Sequence, residues 1–390
     1  MSILELRTQV LQAHGAGSAE VEELLAYNQN VFDHHSEAIA QLSFPLVNEP
    51  HIAAWQDYVE TAQYQGARTA LISSLVQFQF PIQSGISTTA DYQLATRKGQ
   101  RSTRPQPGLE LQQPEQMQVS IHSTLAGAIP VITVGCRADF VSLIQAFTKR
   151  NEPVEIPDSM GACIIGGYNN WDRVNRYRQQ WAAENPGHCS EQDWLVEFTR
   201  LVPRKELYQD RFVILSRGFY SNVAPASLGL TEFEWLQLSL TIRLEHECIH
   251  YFTRRCFNSM RNNVLDELIA DYCGIVAAIG QYRADWFLHF IGLEAFPTYR
   301  EGGRLQAYRG NPLLSNSAFQ VLRSVIKSAA ENLEQFDCTY FSSHRTPLDQ
   351  VATLIALTTL TLEQLASVSS ASILAMSINF QKERFGSVFV

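Results

Sequence analysis

The chain has 390 residues, of which 45% are hydrophobic and 18% are charged. This balance is typical of a globular protein large enough for two or three hydrophobic cores, and it excludes disorder throughout the chain. The formal net charge of -9 disfavours nucleic acid or an anionic membrane as the main partner, since both require clustered lysine and arginine.

The N-terminal part of the chain has a helical pattern. Apolar residues recur at helical spacing through residues 1–80, with breaks near Gly15 and Pro45, which predicts an N-terminal helical region. Residues 81–117 are rich in Ser, Thr, Gln, Gly and Pro and have weak periodicity. This composition is typical of a linker or a polar functional loop.

Strand signals follow in residues 118–225. Short β-rich runs there are bounded by glycines, and the clearest is Phe212–Leu215. The next segment, Gly218–Val223, keeps a strand-like character. We therefore expect an α/β region with a small sheet that precedes a helical region, residues 226–390.

The helical region begins with a strong start signal. Thr231 and Glu234 have the spacing of a capping box, which predicts a helix from Thr231 to about Cys256. A polar break follows, and the next helix is predicted to begin near Asn263. Gly274 lacks a Cβ atom, which would let this second helix approach its neighbour closely. The whole chain is thus predicted to be an α+β protein in which helices predominate.

The first of these helices carries the run His246–His250, whose pattern is H-E-x-x-H. Residues four apart lie on one face of a helix, so both imidazoles can point at one ion while Glu247 faces the same cleft. Catalytic zinc takes three protein ligands and an open position, and Glu267 is the nearest acidic residue that begins the second helix. Asp271, one turn later, is placed to hold the other ring nitrogen of His246.

These five residues resemble the pattern of gluzincin metallopeptidases, the thermolysin-like group, in which H-E-x-x-H on one helix is completed by E-x-x-x-D on the next. The resemblance implies that His246, His250 and Glu267 bind zinc. It also implies that Glu247 is the general base and that Asp271 orients a histidine. The sixteen residues 251–266 separate the two halves, somewhat fewer than in the thermolysin-like group, so the connection must be tighter. The resemblance covers roughly residues 240–274.

The activity implied by this resemblance is zinc-dependent hydrolysis of a peptide or amide bond, with Glu247 accepting a proton from the attacking water. A further donor is needed for the developing oxyanion. His344 is the first candidate, with Tyr251, His289 and Tyr299 behind it. A purely structural zinc site would instead be closed by a fourth protein ligand.

The resemblance also suggests a place for a peptide substrate. In gluzincins an edge strand just before the zinc helix binds an extended peptide by adding it to the sheet. Phe212–Leu215 and Gly218–Val223 are placed to be that part of the sheet. A core strand without substrate contact is an equally good interpretation.

The sequence is therefore compatible with two classes of function: a zinc-dependent hydrolase, and a zinc-containing protein that binds a peptide or small molecule without cleaving it. The expected partner is a peptide or small amide, with no nucleic acid and no membrane. Seven scattered cysteines and the lack of a signal-peptide pattern at the N-terminus favour a cytoplasmic location.

Overall fold

The computed structural model describes residues 2–34, 42–100, 107–261, 263–341 and 345–386. The chain divides into two compact units. Residues 1–46 and 219–390 form the first, called here the helical unit, and residues 47–218 form the second, the sheet unit. The region predicted as residues 1–80 is therefore shared between the two units.

The first helices of the chain agree with the apolar pattern. The helical unit begins with α1 (Ile3–Ala13) and α2 (Ser18–Tyr27), separated at the predicted glycine break. The sheet unit then begins with two further helices, α3 (His51–Gln65) and α4 (Ala67–Ser74).

The polar segment 81–117 differs from the predicted loop or linker because it contains a helix, α5 (Ala90–Lys98). Thr89 caps its first turn, and Gly99 ends it in a left-handed conformation. Tyr92 and Ala95 are buried in a small cluster with Phe80. Local capping and these few apolar contacts stabilise a helix that the polar composition of the segment did not predict.

The sheet unit contains a four-stranded sheet formed by β1 (Gln118–Thr124), β2 (Gly127–Val134), β3 (Ala162–Asn169) and β4 (Gln209–Ser216). The strand order is β1-β2-β4-β3, with β2 and β4 parallel and the two outer pairs antiparallel. Every residue of β2 is buried, as expected for a β-branched central strand covered on both faces. The remaining helices of this unit are α6 (Arg137–Thr148), α7 (Trp171–Glu184) and α8 (Glu191–Leu201).

The strand order corrects the expectation of a peptide-binding edge at Phe212–Leu215. These residues lie in β4, which is hydrogen-bonded to β2 on one side and to β3 on the other. Because both rows of backbone groups are already paired, this strand cannot add a peptide to the sheet. The alternative interpretation, a core strand, is the one that the structure supports.

The helical unit continues with the two long helices that carry the motif, α9 (Glu232–Phe257) and α10 (Val264–Ile279). Both predicted starts are confirmed, at Thr231 and near Asn263. The unit is completed by α11 (Ala284–Ile291), α12 (Asn316–Tyr340), α13 (Pro347–Thr359), α14 (Leu362–Ala366) and α15 (Ser370–Phe385).

The predicted fold class is confirmed: the protein is α+β with helices predominating, and its small sheet precedes the motif helices in sequence. Within the described residues, no helix is both long enough and apolar enough to cross a lipid bilayer.

Candidate metal centre

The two histidines of the motif come together on α9. The predicted capping box starts this helix: Thr231 Oγ1 accepts a hydrogen bond from the Glu234 amide, and Glu234 Oε2 accepts one from the Thr231 amide. Helical spacing then brings the Nε2 atoms of His246 and His250 to 3.1 Å from each other. Both imidazoles are buried.

The third residue of the predicted site comes from the first turn of α10. Glu267 Oε2 lies 3.6 Å from His246 Nε2, and Glu267 Oε1 lies 3.6 Å from His250 Nε2. Gly274 permits this arrangement, since a Cβ atom there would lie only 2.9 Å from the carbonyl oxygen of Ile242 on α9. The expected close approach of the two helices at Gly274 is confirmed.

The spacing of these ligand atoms fits a tetrahedral ion. Zinc bonds to nitrogen and oxygen of about 2.0–2.1 Å, at tetrahedral angles, separate neighbouring ligand atoms by about 3.3 Å. The two Nε2 atoms are 3.1 Å apart, and each lies 3.6 Å from one oxygen of the Glu267 carboxylate. Within the described part of the chain, the group around His246, His250 and Glu267 has no fourth His, Cys, Asp or Glu. Three ligands and one open position are the arrangement of catalytic rather than structural zinc.

The electrostatics of the group favour a positive charge. Burial would lower the pKa of His250, but its hydrogen bond with Glu267 and the charges of Glu267, Glu247 and Asp266 raise that pKa to about 9. Burial would raise the pKa of Glu267, but the two histidines and Arg304 hold that pKa well below its usual range. A buried carboxylate that stays ionised is a suitable ligand for a divalent cation.

Asp271 lies beside His246, the histidine that it is predicted to orient. Its Oδ1 lies 2.8 Å from His246 Nδ1, and its side chain is fully buried. The same oxygen accepts a 2.5 Å hydrogen bond from the hydroxyl of Tyr220, and Oδ2 accepts one from Arg304 Nη2. Burial would raise the pKa of Asp271, but the charges of Arg304 and His246 lower it below its ordinary value.

Tyr220 reaches Asp271 from a turn, which corrects the predicted strand-like character of Gly218–Val223. Residues Tyr220–Asn222 form a short 3-10 helix, in which Ser221 and Asn222 have positive φ angles of 50° and 55°. Such angles are incompatible with a strand. The Tyr220 amide donates to Ser239 Oγ at 2.9 Å, and this bond fixes the turn against α9.

A second turn contacts both carboxylates of the site. It is the 3-10 helix Arg304–Tyr308, called here the 304–308 turn. Arg304 donates to Asp271 and, at 2.8 Å, to the hydroxyl oxygen of Tyr220. The hydroxyl of Tyr308 donates to Glu267 Oε2 at 2.8 Å.

Glu247, the predicted general base, is 8% exposed on α9. Its charge is among those that raise the pKa of His250. No hydrogen bond or ion pair joins it to another side chain in the described ranges. The carboxylate therefore keeps its acceptor sites available, as a group that must take a proton from water requires.

The predicted oxyanion donor, His344, lies outside the described residues. Two of the candidates behind it are engaged elsewhere: His289 Nδ1 lies 2.8 Å from the carbonyl of Asp285, and the Tyr299 hydroxyl donates to the carbonyl of Gly303. Tyr251 is fully buried, with Arg255 over its ring. These hydrogen bonds of His289 and Tyr299 are therefore made to backbone carbonyls and not to the residues of the metal centre.

Three residues of the network were missed by the sequence: Tyr220, Arg304 and Tyr308. They lie between 26 and 84 positions from their partners, and no spacing rule connects them. The one available signal was compositional, since residues 297–312 are rich in Tyr, Arg and Gly.

Comparison with known proteins assigns the chain to a family. A family of unknown function, DUF7005, matches residues 9–369, which include both units. The chain belongs to this family. No curated protein and no solved structure matches it.

Proposed function

We propose that this DUF7005 protein is a zinc-dependent hydrolase that cleaves a peptide or amide bond. The proposal is carried by one observation: the Nε2 atoms of His246 and His250 are 3.1 Å apart, and each lies 3.6 Å from an oxygen of the Glu267 carboxylate. The unpaired carboxylate of Glu247, on the same helix, supports hydrolysis rather than a structural role.

In this proposal His246, His250 and Glu267 hold the ion. Zinc bound there would act as a Lewis acid, lowering the pKa of a water molecule and polarising the substrate carbonyl. Glu247 accepts a proton from the water as its oxygen bonds to the carbonyl carbon. Glu247 then donates that proton to the leaving nitrogen as the carbon–nitrogen bond breaks, which gives an acid and an amine.

The test begins with metal content. Elemental analysis of the purified full chain should find about one zinc per chain, and the double variant His246→Ala/His250→Ala should lose it because one remaining ligand holds zinc poorly. Full zinc occupancy in that double variant would remove these residues from the site.

Hydrolysis is tested separately with Glu247→Gln, which should keep zinc but lose cleavage of a peptide library. Glu232→Gln is the matched control, because Glu232 is an exposed carboxylate on the same helix. If zinc is present but wild type cleaves neither peptides nor small amides, the chain is instead a zinc-containing binding protein.

A further inference from the structure

The 304–308 turn contacts the carboxylates of Glu267 and Asp271 through separate side chains. Its first residue, Arg304, is held by close backbone packing: a Cβ atom on Gly303 would lie 2.7 Å from the carbonyl oxygen of Ile291. The Arg304 side chain is 11% exposed and lies over the ring of Tyr220, 5.2 Å from the centroid. The turn is therefore packed into the helical unit and is not an exposed loop near the site.

Arg304 donates a hydrogen bond to the hydroxyl oxygen of Tyr220, which leaves the Tyr220 proton for another neighbour. The Tyr220 hydroxyl has one proton and two polar neighbours, Asp271 Oδ1 at 2.5 Å and His246 Nδ1 at 3.0 Å, of which the nitrogen accepts only when it carries no proton. Arg304 can only donate, so the oxygen of Tyr220 must accept from it. Arg304 also holds Asp271 Oδ2, and this second bond keeps the carboxylate turned toward Tyr220 and His246.

One tautomer of His246 satisfies all these bonds. If Nδ1 carries the proton, it donates to Asp271 Oδ1 at 2.8 Å, and the Tyr220 proton goes to the same oxygen. The Nε2 lone pair of His246 is then free to bind a metal. If Nε2 carried the proton instead, the Nδ1 lone pair would face the carboxylate and no metal could bind at Nε2.

We propose that the 304–308 turn positions both carboxylates of the metal centre: Arg304 fixes Asp271, and thereby the metal-binding tautomer of His246, while Tyr308 fixes Glu267. This inference rests on the metal site of the proposed function, but not on hydrolysis. Arg304 and Tyr308 act through other residues and are positioning residues, not ligands.

The first measurement is zinc affinity of the full chain, determined by competition with a chromophoric chelator. Arg304→Met should weaken zinc binding by roughly 10- to 100-fold, and Tyr308→Phe by about tenfold, because each removes a group that orients a ligand or its partner. Arg304→Lys should recover part of the loss, since lysine keeps the charge but cannot bind Asp271 and Tyr220 with one planar fork. Arg283→Met, which removes an exposed arginine bonded to Asp285, is the control and should leave zinc affinity unchanged.

The second measurement separates positioning from folding. In metal-free protein labelled with ¹⁵N-histidine, at alkaline pH where the His246 ring is neutral, that ring should be the Nδ1–H tautomer in wild type, with its signal assigned by its disappearance in His246→Gln. Arg304→Met should shift this ring toward the Nε2–H form, while Arg283→Met should not. Thermal unfolding of each variant identifies any that fails to fold, and Arg304→Lys then supplies the comparison.

The outcomes are distinct from those of the proposed function. If wild type binds no zinc at the motif histidines, the metal site itself is wrong. If wild type binds zinc and folded Arg304 variants keep both wild-type affinity and the Nδ1–H tautomer, the positioning role is overturned while the metal site stands. Loss of affinity together with the tautomer shift supports the role, whether or not the protein hydrolyses a substrate.

Discussion

At the scale of single residues, the carboxylate of Asp271 is where the hydrogen bonds of the candidate site converge. It accepts from Tyr220 and Arg304 and lies 2.8 Å from His246 Nδ1. An acceptor on the far nitrogen of a metal-binding histidine fixes the ring but does not touch the ion. Its loss should therefore weaken metal binding without abolishing it.

The corresponding prediction is that Asp271→Asn lowers zinc affinity by roughly 10- to 100-fold. A chelator-competition titration would measure the change, with Asp285→Asn as the control, since Asp285 is an exposed carboxylate of the same unit. Complete loss of zinc in a folded Asp271→Asn variant would make Asp271 a ligand itself. Unchanged affinity would remove it from the site.

The site residues whose proximity the sequence predicted are those linked by helical periodicity. His246 and His250 are four residues apart, as are Glu267 and Asp271, and such pairs share a face whenever the segment is helical. Tyr220 and Arg304 could not be found in this way. Their positions depend on a left-handed turn at Ser221 and on backbone packing at Gly303, which are consequences of the tertiary structure.

At the scale of elements, the packing of α10 against α9 sets the distance between the histidines and Glu267. Gly274 lies at the closest point, where an added Cβ atom would be 2.9 Å from the Ile242 carbonyl oxygen and 3.2 Å from its Cγ2. The first of these atoms belongs to the backbone, so it cannot move aside as a side-chain end would. A larger residue at 274 must separate the helices.

We accordingly predict that Gly274→Ala destabilises the folded chain by about 1–3 kcal/mol, the usual cost of overpacking, despite the better helix propensity of alanine. Zinc affinity should also fall, because the carboxylate of Glu267 moves with α10. Chemical denaturation and zinc titration measure the two effects. Ala277→Ser, an exposed change on the same helix, should alter neither by much. A Gly274→Ala protein with wild-type stability and affinity would contradict the close-packing argument.

The order of the strands in the sheet could not be predicted from the sequence. The strand at Phe212–Leu215 was predicted correctly from its own run of apolar residues. The order of the strands depends on which segments pair after long connections, and this information is not local. The interior position of β4 was therefore available only from the structure.

At the scale of the whole molecule, the motif explains a small part of the chain. The resemblance to gluzincins covers roughly residues 240–274, whereas the family match extends over residues 9–369. The sheet unit, residues 47–218, carries none of the five motif residues. It contains its own buried charged network, in which Asp210 accepts hydrogen bonds from Arg173, Asn170 and Trp55.

A separate buried residue, His51, gives the sheet unit a pH dependence of its own. The side chain is 2% exposed, and its Nε2 has no hydrogen-bond partner within the described ranges. Burial lowers the pKa of His51 to about 4, helped by the charges of Arg173 and Arg211 and opposed by the charge of Glu49 and by a hydrogen bond to the Arg211 backbone. The folded protein therefore keeps this imidazole neutral at a pH where an unfolded chain would protonate it.

The stability of the sheet unit should consequently fall as the pH falls. Above pH 6.5, the ordinary value, both states hold a neutral His51; between 6.5 and about 4 only the unfolded state gains the proton. At 1.36 kcal/mol for each pKa unit, the loss from this residue is about 2 kcal/mol by pH 5 and about 3 kcal/mol below pH 4. Hydrogen exchange of β4 amides, corrected for intrinsic rates, would measure this loss of stability.

His51→Gln should remove this part of the pH dependence, whereas His188→Gln, which changes an exposed histidine of the same unit, should retain it. Identical pH profiles for wild type and His51→Gln would mean that the folded state does hold the proton, and that His51 is less isolated from water than its burial indicates.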